Sequence, residues 1–371
     1  MIDTEELGAW LRLLAAPGIG RESARKLLAA FGSPQAVLAA SAGALREVAG
    51  PSAAAAFATA PPRIETLVST TLAWLAAETD DVPRSVIALG DPLYPTALLH
   101  AADPPLLFYV QGNTALLSSQ SLAVVGSRNP THQGIDNARA FSAALSQAGF
   151  TIVSGLALGI DAAAHEGGLE GQASTIAVVG TGLDRVYPKR HLALAHRIAR
   201  NGLIVSEYPL GTPALPPHFP TRNRIIAGLA RGTLVVEAAL KSGSLITARL
   251  ASESGRDVFA IPGSIHSPQS RGCHALIKQG AKLVETAQDI LEEFQPKATR
   301  TTAAAASPQG ELGPNHDPVL SALGFDPATI DALVARTDWS AAALSVRLLE
   351  LELGGHIARL PGQLFQRIGA A

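Results

Sequence analysis

Cysteine, methionine and aromatic residues are scarce in this chain of 371 residues, which has one Cys, one Met and 5% aromatic residues. The lone Cys273 excludes an internal disulfide and a cysteine-based zinc cluster, and it favours a reducing, cytoplasmic location. The ten histidines show no spacing typical of a zinc site, so no metal is predicted.

Long apolar runs and an excess of positive charge are also missing. No stretch is long enough to cross a bilayer, and Asp3, Glu5 and Glu6 precede any apolar run, which is the reverse of a signal peptide. The net charge of −2 excludes a protein that is basic throughout, so any affinity for nucleic acid must come from a local patch. With 47% hydrophobic and 16% charged residues, the chain is predicted to be globular, with two or three domains and no membrane partner.

Runs rich in Val, Ile and Leu begin near residue 105 and alternate with helical stretches. Because these runs lack polar alternation, they indicate strands buried on both faces, and hence a parallel sheet between helices. The fold class is therefore α/β, a Rossmann-like parallel sheet with helices on both faces. The predicted strands are 122–126, 151–154, 175–179, 203–206, 233–236, 258–261 and 282–284. Thr131 is predicted to cap the helix after the first of them, and Ser242 or Ser244 the helix near Leu245.

Composition divides the chain into four predicted segments. Residues 1–80 form a helical domain, 81–294 the core, 295–317 a linker without apolar periodicity, and 318–371 a winged-helix-like module with a hairpin turning at Pro361-Gly362. The Pro- and Asp-rich residues 81–104 are interpreted as the connection from the helical domain. In the last module, Arg347 stands near Glu350 and Glu352, which is a poor surface for DNA. We expect packing or a protein contact there.

A glycine turn, Pro17-Gly18-Ile19-Gly20, interrupts the first helices, and Arg21, Arg25 and Lys26 follow it. It resembles a helix-hairpin-helix turn, whose glycines expose backbone amides to a DNA phosphate. A tight link between packed helices would leave the same pattern, and the sequence leaves both interpretations open.

A strand that ends in a glycine turn is the most informative local pattern. Leu122-Ala-Val-Val runs into Gly126, Ser127 and Arg128, where glycine lets backbone N–H groups approach an anion and arginine supplies a fixed fork of donors. Because the carboxyl ends of parallel strands share one edge of a sheet, we expect this turn to converge with those that follow other strands. These are Ser154-Gly155, Gly180-Thr181-Gly182 and Lys241-Ser242-Gly243-Ser244.

A second informative pattern is the segment 217–229. We expect Thr221 to cap a helix with Arg222 and Arg224 on its first turn, where cations oppose the helix dipole. A bound anion would remove that conflict, and Phe219 could stack on a base. The alternative is that Phe219 is a hydrophobic staple and the arginines are surface charges.

Cofactor and hydrolase patterns are incomplete. The turn at Gly126 lacks the further glycines of a dinucleotide fingerprint, and no phosphate-binding lysine loop occurs, so no cofactor is predicted. No nucleophile elbow precedes Asp161 and His165, which are interpreted as a helix-start residue and its neighbour. Several phosphate-holding turns without a complete nucleotide fingerprint suit a phosphodiester backbone better than one small cofactor.

Several long motifs, in order along the chain, carry a family resemblance. They are Gly126-Ser127-Arg128, Ser154-Gly-Leu-Ala-Leu-Gly159-Ile160-Asp161-Ala-Ala-Ala-His165, Phe219-Pro-Thr-Arg-Asn-Arg-Ile-Ile-Ala-Gly-Leu229, Glu237-Ala-Ala-Leu-Lys241-Ser-Gly-Ser-Leu-Ile-Thr247-Ala, Pro262-Gly263 and Gly272-Cys273-His274-Ala275-Leu276-Ile277. The chain closely resembles the DNA-processing protein A (DprA/Smf) family over residues 85–294, and more loosely at both ends.

The resemblance implies a Rossmann-like core that binds and protects single-stranded DNA, forms a homodimer through this core, and helps load the recombinase RecA during natural transformation. It implies no catalysis and no catalytic residue. The residues that match the family's DNA-contacting motifs are Gly126, Ser127, Arg128, Ser154, Gly155, Phe219, Arg222, Asn223, Lys241, Ser242 and Gly243. Arg224 joins this candidate set because it is expected on the same first helical turn as Arg222.

The chain departs from the family pattern at one position, and one other function has to be considered. His191 stands where the family usually has asparagine, and Lys189 and Arg190 before it would add charge to the rim of the crevice that the converging turns are expected to form. The rival is a Rossmann-like phosphoribohydrolase, which releases bases from nucleoside monophosphates and uses a loop resembling Pro-Gly-Gly-x-Gly-Thr-x-x-Glu. Here the corresponding stretch, Lys241 to Ala248, contains no acid, whereas cleavage of an N-glycosidic bond generally calls for a carboxylate near the sugar.

Overall fold

The structure is a computed structural model that describes residues 2–77, 82–294, 317–324 and 326–368. Most of the predicted linker, residues 295–316, therefore lies outside the described residues. The chain divides into two units, one of residues 1–130 and 137–287 and the other of residues 131–136 and 288–371.

The first unit begins with helices whose apolar faces are buried. They are α1 (Thr4–Ala15), α2 (Arg21–Phe31), α3 (Pro34–Ala39), α4 (Ala42–Ala49), α5 (Pro51–Ala58) and α6 (Ile64–Ala76). Leu7 and Leu27 of these helices are fully buried in the same hydrophobic cluster as Leu107 and Tyr109 from the sheet. The helices and the sheet are thus continuous in packing, and a domain boundary at residue 80 stays a prediction.

A sheet of nine strands follows, with helices between the strands. Its elements are β1 (Arg84–Ala88), α7 (Thr96–Leu99), β2 (Leu107–Gly112), β3 (Ser121–Val125), α8 (His132–Gln147), β4 (Thr151–Ser154), α9 (Ile160–Glu170), β5 (Thr175–Val178), α10 (Leu192–Asn201), β6 (Leu203–Ser206), α11 (His218–Leu229), β7 (Gly232–Val235), α12 (Gly243–Glu253), β8 (Asp257–Ala260), α13 (Arg271–Lys278), β9 (Lys282–Leu283) and α14 (Ala287–Phe294). Short 3₁₀ helices span Thr114–Ser118 and Lys189–His191.

The strand order is β1-β2-β6-β5-β4-β3-β7-β8-β9, and all pairs from β6 to β9 are parallel. Each of the seven predicted strands overlaps one of β3 to β9, and the central ones are buried along their whole length. The α/β, Rossmann-like fold class is confirmed. At one edge, however, β1 and β2 pair antiparallel with each other, and β2 pairs antiparallel with β6, so the sheet is not parallel throughout.

The interpretation of residues 81–104 as a connection is wrong over part of its length. Arg84 to Ala88 form β1, in register with Gln111 to Leu107 of β2, and the last three residues of β1 are buried. This short strand is flanked by Pro and Asp residues, so the composition of the segment as a whole does not predict it.

Two of the three predicted helix caps, Thr131 and Ser242, are confirmed. Thr131 Oγ1 accepts a hydrogen bond from Gly134 N at 3.0 Å, and Ser242 Oγ accepts one from Ser244 N at 3.3 Å. Since Ser242 is the N-cap, α12 begins at Gly243. Each cap satisfies a backbone N–H that a helix start leaves without an intrahelical partner.

The C-terminal residues form a small module with its own core. It comprises α15 (Pro318–Leu323), β10 (Ala328–Thr329), α16 (Ile330–Thr337), α17 (Ala341–Leu353), β11 (Ile357–Leu360) and β12 (Leu364–Arg367), and its sheet has the order β10-β12-β11. Its hydrophobic cluster consists of residues between Val319 and Phe365. The helices followed by a hairpin that turns at Pro361-Gly362 confirm the predicted winged-helix architecture.

Candidate nucleic-acid interface

A change of direction in the sheet creates the candidate site. From β3 the chain proceeds through β4, β5 and β6 on one side, and it then returns to place β7 on the other side of β3. The carboxyl ends of β3 and β7 are therefore neighbours whose loops lead away to opposite sides. Such a switch point leaves a crevice in an open α/β sheet, and ligands bind there in this class of fold.

A cavity of about 470 Å³ lies at this switch point, and we call it the switch-point cavity. Its lining comes from the loop after β3, the start of α11 and the loop that leads into α12. The predicted site residues among the lining are Gly126, Ser127, Arg128, Phe219, Arg222, Asn223, Lys241, Ser242 and Gly243. Of the four turns expected to converge, those at Gly126 and Lys241 line this cavity, which follows from the order of the strands, whereas Ser154-Gly155 and Gly180-Thr181-Gly182 are not part of its lining.

Positive charge dominates the lining of the switch-point cavity. Arg128 and Lys241 are exposed, and Lys241 stands two residues before the first residue of α12. The N-terminus of this helix adds partial positive charge. The two side chains and the helix end together can hold an anion with more than one phosphate.

Arg222 lies in the wall behind the cavity, not in the open crevice. Its side chain is buried, and its Nη1 donates to the carbonyl oxygens of Gly155 (2.5 Å) and Val178, while Nε donates to Asn223 Oδ1 at 3.1 Å. A Cβ at position 155 would overlap the guanidinium group, so this close approach requires glycine. Burial lowers the pKa of Arg222 to about 10, which leaves the group charged at neutral pH.

Asp161 is the single carboxylate in the lining within the described part of the chain. Its Oδ2 accepts hydrogen bonds from Gly155 N (3.1 Å) and Ala157 N (3.3 Å). Burial raises the pKa of Asp161, and the positive charge of Arg222 acts in the opposite direction. The carboxylate thus shapes the loop after β4, as expected for a residue that braces the start of α9.

His165 is fully buried one helical turn after Asp161. Its Nε2 accepts a hydrogen bond from Leu156 N at 3.2 Å, and its Nδ1 lies 2.7 Å from Thr175 Oγ1. Burial, followed by the charge of Arg222, lowers the pKa of His165 to about 3, so the ring is neutral at pH 7. The interpretation of His165 as a neighbour with satisfied hydrogen bonds agrees with this geometry.

Phe219 lines the cavity, and three further rings lie close to it. Phe219 is half-buried, the Arg128 guanidinium lies 5.9 Å from its ring centroid, and the Tyr187 ring lies 5.4 Å from it at an angle of 39°. One residue before Phe219, His218 stacks on Tyr208 with ring centroids 4.0 Å apart. The structure thus offers flat apolar surface beside the cations at this edge of the sheet.

The predicted start of α11 is wrong. The helix α11 begins at His218 with Pro217 as its N-cap, and Thr221 Oγ1 donates to Pro217 O at 2.9 Å instead of accepting from the helix start. Arg222 and Arg224 therefore lie beyond the first turn, and the helix dipole presents no conflict that an anion must relieve.

Some candidate residues do not line the switch-point cavity. Ser154 is fully buried, and its Oγ donates to Val124 O at 2.7 Å, which ties β4 to β3. Arg224 points to another side of α11, where its side chain, 10% exposed, pairs with Asp103 at 3.0 Å and with Glu207. Contacts of Ser154 and Arg224 with DNA stay predictions.

Ion pairs also occupy the arginines after the glycine turn in the first helices. Arg21 pairs with Asp103 at 2.8 Å and with Glu207 at 3.4 Å, and Arg25 pairs with Asp103. Gly20 caps α2 without a side-chain hydrogen bond, and Gly18 has a φ of +75°. This geometry favours the tight link between packed helices.

Two polar residues and one ring escaped the sequence reasoning. Asn129 and Gln269 line the cavity, and Gln269 Nε2 donates to Asn129 O at 3.0 Å. The ring is that of Tyr187, which lies against Phe219. No local pattern marks Gln269, since it reaches the cavity from a loop 140 residues away from Asn129.

Across residues 2–77, 82–294, 317–324 and 326–368, no helix is both long and apolar enough to cross a membrane. In the same ranges, no cluster of three or more His, Cys, Asp or Glu side chains is placed to hold a metal ion.

The chain is similar to proteins of one family over both of its units. The family described as DNA recombination-mediator protein A matches residues 85–295, and the DprA winged helix domain matches residues 303–363. Protein Smf of Escherichia coli (strain K12) is 42% identical over 302 residues, which cover 80% of this chain and 79% of Smf.

Two solved structures share the fold. The X-ray structure of DNA processing protein A from Streptococcus pneumoniae superposes with a TM-score of 0.68 at 39% identity, and the match covers 80% of this chain and 99% of that one. A structure of DNA processing protein A from Helicobacter pylori, which concerns its single-stranded DNA binding mode, has a TM-score of 0.51 at 32% identity. That match covers 57% of this chain and 94% of the other.

Proposed function

This chain belongs to the DNA recombination-mediator protein A family, and on that premise we propose that it binds single-stranded DNA in the switch-point cavity. The observation that carries the proposal is the convergence of Arg128, Lys241 and the N-terminus of α12 on one cavity of an otherwise slightly acidic protein. Phosphates of a DNA backbone are the anions that match several separate positive groups in one crevice.

The aromatic surface at the cavity mouth supports a single strand over a duplex. A strand without a partner exposes base faces, and Phe219 lies where such a face can reach its ring beside Arg128. Stacking is tolerant of sequence because every base has a flat face. The Helicobacter pylori relative is described as binding single-stranded DNA, which agrees with this preference.

The wider role that we propose is to protect incoming DNA and to help load the recombinase RecA during natural transformation in the cytoplasm. The description of the family as recombination mediators supports this role. We also propose that the protein acts as a homodimer through its Rossmann-like core, as the family resemblance implies.

We propose no catalytic activity. The loop from Lys241 to Ala248 contains no acid, and Asp161, the carboxylate in the lining that the structure describes, is buried and accepts hydrogen bonds from two backbone N–H groups. A phosphoribohydrolase would need a carboxylate free to act near the sugar. Binding is therefore the function that this geometry supports best.

The decisive experiment is a salt titration of binding to single-stranded and duplex oligonucleotides. Each lost phosphate contact should flatten the plot of log affinity against log salt by about 0.7 for a single strand. Arg128→Ala and Lys241→Ala should therefore bind more weakly and with a smaller slope, and the single strand should bind more tightly than the duplex. Arg347→Ala is the control, because Arg347 pairs with Asp317 and Glu350 in the C-terminal module. If Arg128→Ala and Lys241→Ala bind like the parent at every salt concentration, the cavity is not the DNA site.

A further inference from the structure

The most exposed ring at the cavity mouth is that of Tyr187, not that of Phe219. Tyr187 is 52% exposed, whereas Phe219 is half-buried, with Arg128 over its ring and Tyr187 against it. Part of the flat surface of Phe219 thus has a partner within the protein. A base that approaches from solvent meets Tyr187 more readily.

We propose that Tyr187 forms a second base-stacking position, which extends the single-stranded DNA site from the switch-point cavity over the loop before α10. The proposal rests on the proposed function, because it names a further contact for the same strand. Its ligand is an unpaired nucleobase next to the one held at Phe219.

The spacing of the two rings fits neighbouring nucleotides. Their centroids are 5.4 Å apart, and nucleotides in a stacked strand rise by about 3.4 Å each. A base on Tyr187 would therefore lie one or two nucleotides from a base on Phe219. Because the rings are inclined at 39° to each other, a DNA strand stacked on both would have to turn between them.

Positive charge near Tyr187 favours a DNA strand that continues past this ring. Lys189 and Arg190 follow two and three residues later, in the 3₁₀ helix that ends at His191. Both side chains are exposed, and the structure pairs neither of them with an acid within the ranges it describes. Within three residues of the ring, the chain thus adds two exposed cations to those of the cavity.

The local fold holds the Tyr187 loop in place. His191 Nδ1 donates to Leu156 O at 3.1 Å, and Thr181 Oγ1 donates to Arg185 O at 3.1 Å. Gly180 approaches Phe219 so closely that an added Cβ would lie 3.3 Å from its Cδ1. Because hydrogen bonds fix the loop on both sides of Tyr187, the ring is already positioned before a base arrives, which reduces the entropy cost of binding.

The test compares two variants of one side chain on two ligands with the same backbone. Tyr187→Phe keeps the flat ring, and Tyr187→Leu keeps an apolar contact with Phe219 but has no flat face. The ligands are a thymidine oligonucleotide of about 12 nucleotides, within the usual site sizes of such proteins, and an oligonucleotide of the same length made of abasic sites. Binding is measured by fluorescence anisotropy, and thermal unfolding confirms that both variants are folded.

On the thymidine strand, Tyr187→Leu should bind at least about fivefold more weakly than the parent, which corresponds to the lower end of base stacking at about 1 kcal/mol. Tyr187→Phe should bind within about twofold of the parent. On the abasic strand all three proteins should bind alike, and the salt dependence should be the same for all three, because no charge is changed.

Two results would overturn the inference while leaving the proposed function intact. One is that Tyr187→Leu binds the thymidine strand as tightly as the parent, while Arg128→Ala binds it more weakly. The other is that Tyr187→Leu loses as much affinity on the abasic strand as on the thymidine strand, since Tyr187 would then act through the shape of the loop. If the parent bound neither strand, the proposed function and this inference would fail together.

Discussion

Removal of the Arg222 side chain should destabilise the fold, whereas removal of Arg128 should not. Both are candidate DNA contacts by sequence, but the structure separates them by burial and by partners. Arg222 is 4% exposed and donates to the carbonyl oxygens of Gly155 and Val178, which belong to the loop after β4 and to the end of β5. Arg128 is exposed at the cavity mouth.

The expected loss of stability follows from the buried groups that Arg222→Ala leaves without a partner. A buried polar group without its partner costs about 1–3 kcal/mol, and two carbonyl groups lose their shared donor. Asp161, which is also buried, loses the positive charge that favours its ionised form, and an uncompensated buried charge costs about 3–5 kcal/mol. These effects overlap, so we expect a loss of about 3 kcal/mol or more in the free energy of unfolding. For a domain of this size, that loss lowers Tm by about 6–12 °C.

The assay is urea unfolding of the parent, Arg222→Ala and Arg128→Ala, with the slope m compared to confirm that the transition is unchanged. Arg128→Ala is the matched control, and its stability should lie within about 0.5 kcal/mol of the parent. Arg222→Met adds a variant that keeps much of the side-chain volume without the charge, and it should also be less stable than the parent.

One pattern of results would refute this reasoning. If Arg222→Ala were as stable as Arg128→Ala, and if its binding curve lost about 0.7 in salt slope like that of a phosphate contact, Arg222 would reach the ligand directly. The hydrogen bonds to Gly155 and Val178 would then contribute little to the fold.

Three further predictions concern pH, chemistry and domain independence. Burial lowers the pKa of His165 from 6.5 to about 3, so the folded state resists protonation of this ring. The contribution of the neutral ring to the free energy of unfolding is therefore complete above pH 6.5 and declines as the pH falls towards 3. The loss reaches at most about 5 kcal/mol, and unfolding of His165→Gln should depend less on pH in this window; an unchanged dependence would contradict the assignment. The protein should release no base from nucleoside monophosphates, and turnover without metal that disappears in Glu237→Gln would revive the phosphoribohydrolase interpretation. Deletion of residues 318–371 should leave a folded protein that binds single-stranded DNA, since the hydrophobic cluster of that module is its own; precipitation of the truncated protein would contradict this.

The central strands could be predicted because a strand that is buried on both faces needs apolar residues at successive positions. From β3 to β7, each strand is short, has Val, Ile, Leu or Ala in its middle with Ser, Thr or Gly at an end, and is buried along its whole length. The edge strand β1 escaped prediction because its five residues stand among prolines and aspartates. Its partner β2 runs antiparallel, so the first pair of the sheet follows a different rule from the rest.

The members of the site could be named from the sequence, but their roles could not. Arg222 and Arg224 are two residues apart on α11, so their side chains leave the helix in different directions. Arg222 meets Gly155 and Val178, whereas Arg224 meets Asp103 and Glu207. These partners come from distant parts of the chain, so no local pattern around α11 predicts them.

By itself, the sequence determined the α/β class, the positions of the central strands and the glycine turns at their ends, because local burial and backbone freedom dictate those residue types. The order of the strands, which places β7 beside β3, was decided only by the tertiary structure, and this order brings Arg128 and Lys241 to one cavity. Which cations face solvent and which are held by carbonyl groups and acids was likewise decided by contacts between distant segments. The free energy of a charged side chain depends on those neighbours and not on its position in the chain.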